Sequence, residues 1–113
     1  MNKLPNVEYV KVDKRKVVEY ALNFNHISGG ANKARVFENA LGYNNDNAEK
    51  LVEQINKKLS GSEAVPGKKD QYGQRFTVDI MITGENGNTA MVRTGWILET
   101  ESEIPRMTTL FVR

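Results

Sequence analysis

Apolar residues change their spacing along this chain: over residues 14–59 they recur every three or four positions, and from residue 75 they alternate with polar ones. The first regime predicts helices. Val17, Val18, Ala21 and Leu22 form the stripe of a helix over residues 14–22, with Asp13 placed to cap it. Val36, Phe37, Ala40 and Leu41 form that of a second over 33–41, stopped by Gly42 in the left-handed conformation. Ala48, Leu51, Val52, Ile55 and Leu59 define a third, with Asp46 and Glu49 in capping-box spacing before and within it. Residues 1–12, where Val7 and Tyr9 alternate after Pro5, suit an extended arm or short edge strand. Residues 23–32 read as a loop freed by Gly29 and Gly30. Residues 60–72 hold two glycines, one proline and the run Lys68-Lys69-Asp70, and read as a mobile connector.

In the second regime Phe76, Val78, Ile80 and Ile82 alternate with Arg75, Thr77, Asp79 and Met81, the pattern of a strand with one apolar face. Glu85-Asn86-Gly87 fits a three-residue hairpin with Gly87 left-handed, and that loop length sets the register. Gly84 then faces Asn88, and Arg93 faces Asp79. Ala90, Val92, Thr94, Trp96 and Leu98 fall on the apolar side. A further strand covers residues 106–112. The expectation is a single α+β domain over residues 1–113, its N-terminal helices packed on one face of a C-terminal antiparallel β-meander. The opposite face carries Arg75, Thr77, Asp79, Arg93 and Gly95, where a missing side chain leaves room for a ligand.

Composition narrows the chemistry. With 113 residues and 39% hydrophobic content there is material for one modest core. The absence of cysteine removes disulfides, thiolate zinc sites and cysteine nucleophiles, and a lone histidine removes a histidine-rich metal site. No metal and no cofactor is expected. A mean hydropathy of -0.55, without a span-length apolar run or a charged-then-apolar leader, argues against membrane insertion and classical secretion of this chain alone. The net charge of +2, from 16 basic and 14 acidic residues, means that attraction to nucleic acid must come from local clustering.

His26 is the one side chain that titrates ordinarily near neutral pH, and its glycine-flanked loop makes it the acid–base candidate; a loop histidine also serves simply to bond a neighbouring turn. Lys33 opposes the dipole at the start of its helix, so with Gly29 and Gly30 it suits a docked phosphate, although the spacing is not a Walker motif. Arg106, Thr108 and Thr109, with Arg93 and Thr94 on the preceding strand, supply cations and hydroxyls able to clamp a phosphodiester; β-propensity alone also accounts for the threonines. Tyr72 beside Gly73 is the better exposed aromatic, and Trp96 belongs to the core. Asp70, Asp79 and Glu85 have no paired spacing that would support a two-carboxylate hydrolase.

The order YALNFNH, GGANKARVFENALGY, YGQRFTVDIMITGENGNTAMVRTGWI and PRMTTLFV, with LPN at residues 4–6 ahead of it, resembles a bacterial domain family of unassigned function. Members of that family resemble C-terminal modules of polymorphic toxins and of phage minor head proteins. More remotely, the helices-then-sheet order is similar to the metal-independent colicin D, barnase and RelE-like ribonuclease toxins. The resemblance implies a toxin-like ribonuclease acting on tRNA or mRNA through the ribose 2′-hydroxyl. Carried onto this chain, His26 becomes the acid–base group, Lys33 and Arg106 the phosphate clamps and Thr108 a hydrogen-bonding hydroxyl, with Gly29, Gly30, Tyr72, Arg75, Arg93 and Thr94 contacting substrate. RNA and a cognate immunity or antidote protein are the implied partners, in the cytoplasm or in a target cell reached as part of a larger protein. The other expectation, from a different class, is a non-catalytic protein-interaction module of a phage or mobile element that uses the open sheet face.

Overall fold

The computed structural model describes residues 2–19 and 30–113. The chain is α+β, with helices in its N-terminal part and a four-stranded antiparallel meander after them. Helix α1 (Lys14–Val17) is capped as its sequence predicts, the Asp13 carboxylate accepting from the Arg15 N–H at 2.8 Å. Of the helix expected over 14–22, residues 20–22 lie outside the described part. Helix α2 (Gly30–Leu41) starts earlier than its apolar stripe suggests and stops at Gly42, whose φ of +75° is the expected left-handed cap. Helix α3 (Ala48–Leu59) follows.

Its cap departs from the expected capping box. Asn47 is the N-cap residue and makes no side-chain cap bond. Its amide instead accepts from Asn44 N–H and donates to the Gly42 carbonyl, closing the α2–α3 turn. Local side-chain bonds of asparagine to nearby backbone thus displace the Asp46–Glu49 arrangement.

The strands are β1 (Ala64–Asp70), β2 (Gly73–Thr83), β3 (Thr89–Glu99) and β4 (Arg106–Val112), ordered β1-β2-β3-β4. The β2–β3 register is the expected one: Asp79 opposes Arg93, Gly84 N–H bonds the Asn88 carbonyl, and Gly87 has φ +84°. Strand β1 corrects the reading of residues 60–72 as a connector. As an edge strand it buries only its first residue, so no alternation marks it, and Pro66 and Gly67 fall where its register shifts. The arm also differs from expectation. Residues Val7–Tyr9 form a 3-10 turn, and Leu4 and Val12 on either side are buried in the core. The α3 residue Asn56 clasps Val12 by both its N–H and its carbonyl, giving the arm strand-like bonds without a strand.

One face of the sheet packs on the helices, with Phe37, Leu41, Leu51, Ile55, Val78, Ile80, Val92, Trp96 and Leu110 in a shared core. Two polar clasps hold the layers in register. Glu85 N–H bonds the Leu41 carbonyl at the end of α2. On α3, Gln54 both donates to the Thr83 carbonyl and accepts from its N–H, beside the buried Tyr43 hydroxyl that donates to the same carbonyl. Burial raises the Tyr43 phenol above its usual pKa, with the Glu85 charge adding and the Gln54 bond opposing.

Candidate functional site on the outer sheet face

Residues paired across antiparallel strands share a face, so the register alone assigns the outer one. It carries Arg75, Thr77 and Asp79 of β2, Arg93, Gly95 and Ile97 of β3, and Arg106, Thr109 and Phe111 of β4. Arg113, just past β4, joins them: its backbone N–H bonds the Met91 carbonyl and its guanidinium reaches Asp79 at 3.0 Å.

Asp79 anchors the middle of this face. Arg93 binds it through two bonds, Nε to Oδ1 at 2.9 Å and a second guanidinium nitrogen to Oδ2 at 3.1 Å. These hydrogen bonds hold the Asp79 carboxyl below the usual aspartate range, the charges of Arg93 and Arg113 adding to them and partial burial opposing. The same bonds raise Arg93. A carboxyl with a lowered native pKa binds its proton more weakly than in the unfolded chain. Its stabilisation is therefore present above the ordinary aspartate range and is lost as pH falls through the lowered native value. Asp79→Asn is expected to cost about 1 kcal/mol at pH 7, modest because the cluster is partly solvated. Urea unfolding of the two proteins should show the gap closing as the pH falls below about 4.

Lys33 arrives from the other layer. Its neighbours Ala34 and Phe37 bury α2 against the core side, yet its ammonium bonds Thr109 Oγ1 at 3.0 Å and lies 5.6 Å from the centre of the Phe111 ring. Both contacts belong to the outer face of β4, so Lys33 reaches round the β4 edge of the sheet as the described residues form it. Arg106 stands about 10 Å along the strand from Thr109 at extended-chain rise, its Nε on Glu99 at 2.8 Å. Thr108 lies between them at a bulge, where the pairing steps from Gly95–Thr109 to Trp96–Met107.

Other sequence-expected residues fall differently. Thr94 does not reach any open surface: it is fully buried, donating to the Val78 carbonyl at 2.7 Å and accepting from the Trp96 indole N–H at 2.8 Å. Gly95 is not an opening for ligand. A β-carbon there would stand 2.9 Å from Thr109 Cγ2 and 3.3 Å from Thr108 Oγ1, because the bulge turns both threonines over it. Tyr72 is exposed in the β1–β2 turn, at the same end of the sheet as Arg106. Arg75 stands opposite Ile97, which Arg106 flanks from the other side. Gly30 begins α2, whereas His26 and Gly29 lie outside the described residues. Arg113 was missed; the signal was its place two residues beyond Phe111, the partner of Arg93.

The face thus gathers Arg75, Arg93, Arg106, Arg113 and Lys33 against Asp79 and Glu99, with Glu63 at the β1 border of the groove beside Asp79 and Arg93. Among the described residues Arg75 and Lys33 make no ion pair. Such a set can receive anions. Among the same residues no group of three or more His, Cys, Asp or Glu is placed to hold a metal ion, and no helix is long and apolar enough to cross a membrane. The family model described as "Domain of unknown function (DUF6883)" matches residues 3–113. No curated protein and no solved structure matches the chain.

Proposed function

The chain belongs to the DUF6883 family, and we propose that it is a toxin-like, metal-independent ribonuclease that lays the RNA backbone across its outer sheet face. The observation that carries this reading is the passage of Lys33 over the β4 edge to Thr109, which brings an ammonium from the helical layer onto the face holding Arg106 and Arg75. The bond to Thr109 and the contact with the Phe111 ring hold the ammonium on this face, where a phosphate could also meet it. Placed there, it adds a point charge to guanidinium groups suited to phosphate oxygens.

In the proposed reaction the ribose 2′-oxygen attacks phosphorus and the 5′-oxygen leaves, giving a 2′,3′-cyclic phosphate. Charge accumulates on the non-bridging oxygens in the transition state, where Lys33 and Arg106 stabilise it and the Thr108 hydroxyl donates a hydrogen bond. In this scheme His26 takes the proton from the attacking 2′-hydroxyl and returns it to the leaving 5′-oxygen. Purified protein incubated with total tRNA in EDTA is expected to yield fragments with 2′,3′-cyclic ends. Intact RNA at protein excess rejects the reaction.

A specific observation favours a second reading, the protein-interaction module. Among the described residues strand β4 is paired on one side only, and Val36, exposed on α2, shares with Lys33, Phe111 and Val112 an apolar groove of about 340 Å³ along that edge. Edges of this kind accept a strand from a partner. Under that reading the RNA stays whole.

A further inference from the structure

We propose that the groove between the N-terminal arm and the start of β4 is a nucleobase subsite, in which Tyr9 stacks on one base of an RNA strand whose phosphates lie on the outer face. This inference rests on the RNA-binding reading above and names a specificity element within it. Tyr9 sits at the end of the 3-10 turn with 69% of its surface exposed, the largest exposure among the described large hydrophobic residues. It does not contribute to the buried cluster, so its ring is free to be covered by something else.

Its surroundings select what that is. Tyr9 lines the groove with Lys11, Lys16, Ile104 and Arg106, and Trp96, itself 2% exposed, contributes to the wall. Lys11 and Lys16 make no ion pair among the described residues. One carboxylate, that of Asp13, also borders the groove, but it is turned to the Arg15 N–H as the α1 cap. The groove holds about 210 Å³. That is smaller than the roughly 300–1,000 Å³ of pockets for drug-sized ligands, and suits one flat ring. An exposed aromatic ring between cations is how single-stranded nucleic acid is held without a base-pairing partner, the ring taking the base and the cations its flanking phosphates.

Arg106 joins the two regions. By register it projects on the outer face opposite Ile97, and it also lines this groove. A backbone that passes from Lys33 and Thr109 to Arg106 therefore delivers its next nucleotide to Tyr9. The two surfaces form one continuous path, with the phosphate clamp at the turn between them.

The test uses a short fluorescent single-stranded oligonucleotide with 2′-O-methyl riboses, which cannot be cleaved through the 2′-oxygen, and reads its affinity by anisotropy. Tyr9→Ala is expected to weaken binding roughly ten-fold, within the range for one lost base–aromatic stack, while Tyr9→Phe stays close to the parent protein. A set of the same oligonucleotide with a single abasic position, moved along the strand, needs no variant. At one position the abasic probe should lose a similar factor with the unmodified protein and lose nothing further with Tyr9→Ala. If the unmodified protein binds in a salt-dependent manner but neither Tyr9→Ala nor any abasic probe changes affinity, the base subsite is wrong and the phosphate-binding face stands. If the unmodified protein does not bind the oligonucleotide at all, the RNA reading itself is wrong and the subsite falls with it.

Discussion

Lys33→Ala and Arg106→Ala are each expected to slow RNA cleavage by roughly 30- to 1,000-fold, the 2–4 kcal/mol that one preorganised donor supplies to a transition state. Neither change should disturb the fold much. Lys33 loses a partly solvated hydrogen bond to Thr109 and a cation–π contact with Phe111, together worth about 1 kcal/mol. Arg106 loses an ion pair with Glu99 in which both side chains are about half exposed, a class of pair that contributes little. Single-turnover cleavage and thermal unfolding should therefore separate, activity falling with the melting temperature nearly constant. The combination that sinks the assignment is unchanged cleavage in both variants. Loss of activity in step with loss of stability would give these residues a structural role only.

Thr94→Val should produce the opposite separation: a loss of about 2–3 kcal/mol in stability, read as roughly 10 °C in Tm, with no direct effect on RNA binding by the folded protein. Valine keeps the shape of threonine and so leaves no cavity. What disappears is a hydroxyl that is wholly buried, donates to the Val78 carbonyl and accepts from the Trp96 indole. The indole N–H is left without an acceptor inside the core, and an orphaned buried donor bears its full desolvation cost. Adding Trp96→Phe, which removes the orphaned donor, should make the Thr94→Val step cost less than it does alone. A double-mutant cycle in the folded protein measures this coupling. Additive effects would show that Thr94 and Trp96 do not act as a pair. RNA affinity lost by folded Thr94→Val would instead return Thr94 to the substrate face.

Thr94 shows where reading a sequence stops. It and Arg106 are both polar strand residues expected to meet substrate; the register puts Arg106 on the outer face, whereas Thr94 is buried away from any surface. Alternation places Thr94 on the apolar side, but its polarity invites a ligand when the nearby Trp96 N–H, its actual partner, is not considered. Gly95 illustrates the same point from the other direction. Its lack of a side chain serves the crossing of Thr108 and Thr109 at a bulge, and a bulge leaves no mark in a pattern of period 2.

What the sequence determined by itself are the features whose cause is local. The switch from a 3.6-residue period to alternation separates helices from sheet, Asp13 and Gly42 set helix ends, and the Glu85-Asn86-Gly87 hairpin forces Asp79 against Arg93. Each rests on residues within a few positions of one another or on a turn that propagates its register along two strands. The tertiary structure alone decided the rest. Strand β1 is an edge that buries almost nothing of its own and exists because β2 offers it a row of backbone partners. The arm is held by Asn56, some forty residues away, and so needs no strand pattern. Lys33 meets Thr109 across 76 positions because α2 packs beside β4, and Tyr9 comes to Arg106 because the arm returns over the end of the sheet. Contacts of that kind depend on how layers stack, and the energy that stacks them comes from buried apolar area, which is non-directional and carries no local sign of which surface residues it will bring together.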